Sequence, residues 1–79
     1  MEEKIIEIIN IIREKKNQER ISKIESTNDL RSSFMFDSLD LAEFTVRIEK
    51  EFGIDIFEDG FVTTIGDVVQ KLKNFRKHL

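Results

Sequence analysis

Asp37-Ser38-Leu39-Asp40 is the stretch of this 79-residue chain whose residue types and spacing point to chemistry. It sets a hydroxyl between two carboxylates at the start of a strongly patterned helix. Asp37 is placed to cap that helix, and Asp40 stands three residues on, where a carboxylate can reach back. Ser38 then falls in the first turn, where backbone N–H groups lack intrahelical partners and the helix dipole is positive. An anionic group carried on that hydroxyl is favoured there. The sequence supplies no base to activate the serine. The single His, His78, is next to the last residue, and no Gly-x-Ser-x-Gly elbow exists. Cysteine is absent, so thiol chemistry and Cys-based metal sites are excluded. Asp55, Glu58 and Asp59 lack the spacing of a calcium loop. Ser38 therefore reads as a substrate for another enzyme, and the chain as a non-enzyme without a metal of its own.

The elements that must position this serine are helical. The first helix spans Glu2 to about Lys16, with Ile5, Ile8, Ile9 and Ile12 in one stripe and Ile6 and Ile11 on its margins. It ends in the polar run Lys15-Lys16-Asn17-Gln18. Residues 17–36 form a long connection, either a functional loop or a plain crossover, pinned to the core by Ile21, Ile24, Leu30, Phe34 and Phe36. The second helix runs from Ser38 to Phe52 and stops at Gly53. One short helical turn is expected around Glu58-Asp59-Gly60. The last helix begins near Thr64, with Asp67 as its capping partner and Ile65, Val68, Val69, Leu72 and Phe75 as its stripe. No segment alternates like a strand. The expected fold is all-α: a small bundle of three main helices plus one short helix, in a single domain over residues 1–79.

The second helix carries two apolar stripes. Leu41, Phe44, Ile48 and Phe52 follow core spacing. Leu39, Ala42 and Val46 form another on the side next to Ser38, bordered by Asp40, Glu43 and Arg47. A short helix in a small bundle needs one buried stripe, so the second is expected to dock partners. The alternative is that Leu39 and Val46 pack under the long connection.

Composition bounds the rest. Hydrophobic residues make up 39% and charged residues 37%, with seven Phe and neither Trp nor Tyr. That is a globular composition, and a chain this short buries roughly 60% of its unfolded surface, enough for one modest core. Net charge is −3, but residues 37–67 hold nine acids and two bases, a local balance of −7. Such a block repels nucleic acid and attracts basic protein surfaces. No run is apolar enough to span a membrane and no signal peptide is evident, so a cytoplasmic monomer is expected.

The chain resembles the acyl carrier protein family over nearly its whole length. The resemblance is carried by Asp37-Ser38-Leu39-Asp40, Phe44, Ile48, Glu49-Lys50-Glu51-Phe52 and Ile54-Asp55-Ile56. Leu30-x-x-x-Phe34 and Thr63-Thr64-Ile65-Gly66-Asp67-Val68 match in the flanking segments. The resemblance implies that Ser38 is the attachment point for 4′-phosphopantetheine, transferred from coenzyme A by a separate phosphopantetheinyl transferase with magnesium. The arm's thiol then carries acyl groups as thioesters. It implies that Asp37 serves recognition or metallation by the transferase. It further implies that Leu39, Asp40, Ala42, Glu43, Val46 and Glu49 meet acyl-transferring or acyl-modifying enzymes with basic docking surfaces. Many members have Gly where this chain has Met35, Arg47 and Lys50 interrupt the usual acidity, and the segment between Ile56 and Thr63 is short. These departures suggest a carrier specialised for one pathway. An aminoacyl or peptidyl carrier shares the motif, and an unmodified interaction module would use the same face. Phe44, Thr45, Ile48 and Ile65 are the residues expected to line any space for an acyl chain folded back into the bundle.

Overall fold

The structure is a computed structural model and describes residues 1–58 and 62–77, with side chains through Asn74. Three helices follow one another: α1 (Glu2–Lys15), α2 (Ser38–Phe52) and α3 (Ile65–Lys77). The all-α architecture expected from the periodicity is the one observed, and the described residues contain no strand, only the isolated bridge between Asp29 and Thr64. The short helix expected at Glu58-Asp59-Gly60 falls in part outside the described residues. The residues before it form a turn in which Glu58 N–H donates to the Asp55 carbonyl at 3.2 Å. Among the described residues no helix is long and apolar enough to cross a membrane.

Helices α1 and α2 stop where their sequence supplies a stop, and α3 starts at a cap. Asn17 adopts φ 58°, a left-handed conformation that Asn tolerates better than most residues. The reversal lets Asn17 and Gln18 N–H groups bond the Glu14 and Arg13 carbonyls, both at 3.0 Å, closing the end of α1. Gly53 ends α2 at φ 74°, its N–H on the Glu49 carbonyl at 2.7 Å. At the start of α3, Thr64 and Asp67 exchange hydrogen bonds: Asp67 N–H reaches Thr64 Oγ1 and Thr64 N–H reaches Asp67 Oδ2, each at 3.1 Å.

The core lies between the helices and under the connection. Ile5, Ile9, Phe44, Ile48, Ile56 and Val68 are fully buried, and Leu72 nearly so. Burying a side chain of this size stabilises by about 1.5–3 kcal/mol, so this small set does most of the holding. Residues 17–36 are tied down throughout. Leu30, Phe34 and Phe36 enter the core, Ile21 and Ile24 pack on its edge, and the Phe34, Phe36 and Phe44 rings meet in tilted pairs at 5.8 and 6.1 Å. The buried Asn10 on α1 treats Ile21 as a strand would. Its Nδ2 donates to the Ile21 carbonyl (3.0 Å) and its Oδ1 accepts the Ile21 N–H (2.8 Å). Farther on, Leu30 N–H meets the Thr63 carbonyl at 2.8 Å, and Ile65 and Gly66 N–H meet the Asn28 and Ser26 carbonyls at 2.9 Å. Gly66 suits this crossing, because a Cβ there would stand 3.0 Å from the Ser26 carbonyl oxygen and press the connection back by a few tenths of an ångström. The connection is thereby a fixed structural element that delivers the chain to Asp37.

Candidate functional site

Four of the five serines lie in the connection; Ser38 alone heads a helix. Its neighbours fix it from both sides. Asp37 is the N-cap of α2, and its Oδ1 accepts the Asp40 N–H at 2.9 Å. Asp40 Oδ2 accepts the Asp37 N–H at 3.0 Å, completing a reciprocal cap. Ser38 is left exposed on the first turn. Just ahead, Asp29 starts a capped turn, its Oδ1 accepting the Arg31 and Ser32 N–H groups at 2.8 and 2.9 Å. These two bonds hold its carboxyl below the ordinary range, with Ser32 the larger contributor. The turn closes with Phe36 N–H on the Arg31 carbonyl at 2.9 Å, which requires Met35 at φ 60°. This is the place where many acyl carrier proteins have Gly, and the left-handed backbone supplies a reason for it. Met35 accepts that conformation and exposes 63% of its surface.

Two cations that no sequence pattern marked bind this corner. Lys16, at the end of α1, donates its Nζ to the Met35 carbonyl at 2.9 Å and to Asp40 Oδ2 at 2.5 Å. One ammonium thus holds the backbone before Ser38 and the carboxylate after it. Arg31 Nη2 donates to Ser38 Oγ at 3.4 Å. Sequence separations of 24 and 7 residues carry no periodic signal, and only the folded connection brings these pairs together.

The expected partner residues separate into two groups. Leu39 is 80% exposed and Val46 54%, and Ala42 is exposed with them, so they do not pack under the connection. Together with Met35 they form an apolar strip beside Ser38. Asp40, expected on that face, is buried and engaged by the cap and Lys16. Burial pushes its carboxyl upward, but the Lys16 ammonium and the Asp37 N–H outweigh this and hold it low. Glu43 is half-buried and shared by Lys15 and Arg47, each at 2.8 Å, which also holds its carboxyl low. Glu49 remains exposed. The acidity of α2 counted from sequence is therefore partly neutralised from within the bundle.

Of the residues expected to line an acyl space, Phe44 and Ile48 are fully buried and the Thr45 hydroxyl donates to the Leu41 carbonyl at 2.9 Å. Ile65 instead borders a groove of about 540 Å³ with Ile24, Ser26, Val69 and Glu2, on the α1–α3 side.

Comparison with curated proteins and with solved structures returns no match. A family model described as "Phosphopantetheine attachment site" matches residues 6–72, from the first turns of α1 to Leu72 in α3. Members of that family carry 4′-phosphopantetheine covalently on a serine. The chain belongs to this family of carrier domains, which receive their arm from phosphopantetheinyl transferases and serve biosynthetic enzymes.

Proposed function

We propose that this chain is an acyl carrier protein, a single carrier domain over residues 1–79, in which Ser38 bears the 4′-phosphopantetheine. The observation that carries the assignment is the placement of Ser38. It is the one serine at a helix start, exposed, in a turn capped by Asp37, with Lys16 bonding the Met35 carbonyl before it and the Asp40 carboxylate after it. The side chain that reaches its hydroxyl is Arg31, a donor that cannot accept the serine proton. Activation must come from the transferase, which supports a non-catalytic role for the chain itself. When attached, the arm supplies a thiol that forms thioesters; the chain's own residues anchor the phosphate end and present a recognition face. Leu39, Ala42 and Val46 lead that face, with Glu49 at its edge and Asp37 as the transferase's recognition point or metal contact. Their exposure supports docking to acyl-transferring or acyl-modifying enzymes. Because Asp40 and Glu43 are engaged internally, apolar contact contributes more to this docking than charge. The carrier acts as a cytoplasmic monomer in one specialised pathway; turnover by a complete type II fatty acid synthase at the rate of its own carrier would contradict that specialisation.

The test is incubation with coenzyme A, magnesium and a broad-specificity transferase, followed by intact mass. The expected result is a gain of one phosphopantetheine unit that is absent in Ser38→Ala. No gain under conditions that convert a control carrier would end the assignment. Charging the product with an acyl donor in parallel with an aminoacyl donor then separates acyl from aminoacyl carriers.

A further inference from the structure

Arg31 has a position that anchoring the connection does not explain. Its backbone is fixed at every point: Leu30 before it is buried, its N–H is held by Asp29 Oδ1, and its carbonyl accepts the Phe36 N–H. Its side chain is exposed, and Nη2 lies 3.4 Å from Ser38 Oγ. To a neutral hydroxyl, a bond of that length is weak. None of the ion pairs formed by the described residues includes the guanidinium. Asp29 directs its carboxylate to backbone N–H groups, and Asp40 is matched by Lys16. Asp29 feels the guanidinium only as the weakest influence on its carboxyl and forms no ion pair with it, so a charged fork is held over a hydroxyl.

Resting on Ser38 as the attachment point, we infer that Arg31 is the clamp for the phosphodiester that joins the arm to the protein. Esterification puts an anion next to Asp37, where like charge opposes it. The phosphate oxygens extend beyond Oγ into the space the guanidinium already faces. A planar guanidinium matches two phosphate oxygens at once, and the bond becomes charge-assisted. The clamp does two things. It offsets the added charge, and it restricts the direction in which the arm leaves the helix, toward the Arg31 turn at the Met35 end of the apolar strip. Arg31 is a binding and positioning residue for the prosthetic group, with no part in proton transfer.

The experiment compares apo and holo forms of the wild type with holo Arg31→Ala and holo Arg31→Lys, each checked by intact mass. Nitrogen-15 NMR follows the Arg31 Nε–H, and phosphorus-31 NMR follows the diester. On conversion of wild type from apo to holo, the Arg31 Nε–H signal is expected to move and its exchange with water to slow. The phosphorus signal of holo Arg31→Ala is expected to move toward that of free phosphopantetheine, with Arg31→Lys retaining part of the wild-type shift. An Arg31 signal unchanged between apo and holo wild type overturns the clamp, as does an identical phosphorus shift in wild type and Arg31→Ala. Should Arg31→Ala fold poorly or resist loading, the wild-type apo-to-holo comparison decides alone. Absence of any mass gain in wild type overturns the Ser38 assignment and the clamp with it; a mass gain with unmoved signals overturns the clamp only.

Discussion

The two apolar stripes of α2 share a helix and have opposite fates. Phe44 and Ile48 of the first are sealed in the core, with Leu41 and Phe52 at its edge; Leu39, Ala42 and Val46 of the second face outward. Periodicity finds both faces and cannot rank them. What ranks them is the number of surfaces the bundle has to cover. The isoleucines of α1 and the three anchors of the connection fill one face of α2 and leave nothing for the other. The acids divide in the same way. Asp40 and Glu43 are drawn inward by Lys16, Lys15 and Arg47, and Glu49 stays out. Under the proposed function, a large apolar residue left in water on a helix that also carries an exposed, capped serine serves recognition.

Truncating each stripe breaks or sharpens this comparison. Phe44→Ala removes a ring fully buried between Phe36 and the helices and is expected to destabilise by about 3–5 kcal/mol, a large part of a small domain's stability. Leu39→Ala deletes more exposed apolar surface than buried, and its effect is expected to stay within about 0.5 kcal/mol. Urea unfolding of the two variants decides, and a large loss in Leu39→Ala would collapse the distinction. The same Leu39→Ala protein is expected to be a poorer transferase substrate in kcat/KM, an effect that stability cannot explain.

The acids give the next largest contrast. Asp40→Ala leaves Lys16 with the Met35 carbonyl alone and removes half of the reciprocal cap, for an expected loss of about 1–2 kcal/mol by urea unfolding. Glu49→Ala is expected to change stability by less than about 0.5 kcal/mol. The pH dependence follows from the same pairs. Asp40 and Glu43 both hold their carboxyls below the ordinary values of 3.8 and 4.5. The unfolded chain therefore takes up protons first as pH falls, and folding loses the contribution of these groups on acidification. Stability is expected to be level from neutrality to about pH 5 and to decline through and below the ordinary carboxylate range. Urea midpoints across this range test it, and Asp40→Ala is expected to flatten the decline. The smallest effect is expected at Met35. Met35→Gly relieves a positive φ at an exposed side chain and gains backbone freedom in the unfolded chain. The net is a stabilisation of up to about 1 kcal/mol, read from the same midpoints.

Much of this was legible in the residues. The ends of α2 follow from Asp37, Asp40 and Gly53, and the start of α3 from Thr64 and Asp67, because capping is local chemistry written within a few positions. The core anchors Leu30, Phe34 and Phe36 were legible as isolated apolar residues in a polar run. The serine itself stood out for the same local reasons. The hidden part was long-range. Asn10 gives no sign that its amide will pair with Ile21, and Lys15 and Lys16 read as a solvated helix end. The burial of Asp40 was hidden because a capping carboxylate and a docking carboxylate look alike until the third partner, Lys16, is seen. Arg31 was missed because its relation to Ser38 depends on the Asp29 turn and on the left-handed Met35, where the sequence offers no glycine.

The central claim is that the arm sits on Ser38 and on no other serine. The direct measurement is fragmentation mass spectrometry of the transferase-treated protein, locating the phosphopantetheine among Ser22, Ser26, Ser32, Ser33 and Ser38. The account predicts the entire added mass on Ser38, with none on Ser38→Ala. Modification of a serine in the connection, or a Ser38→Ala protein that still gains the group, would contradict it.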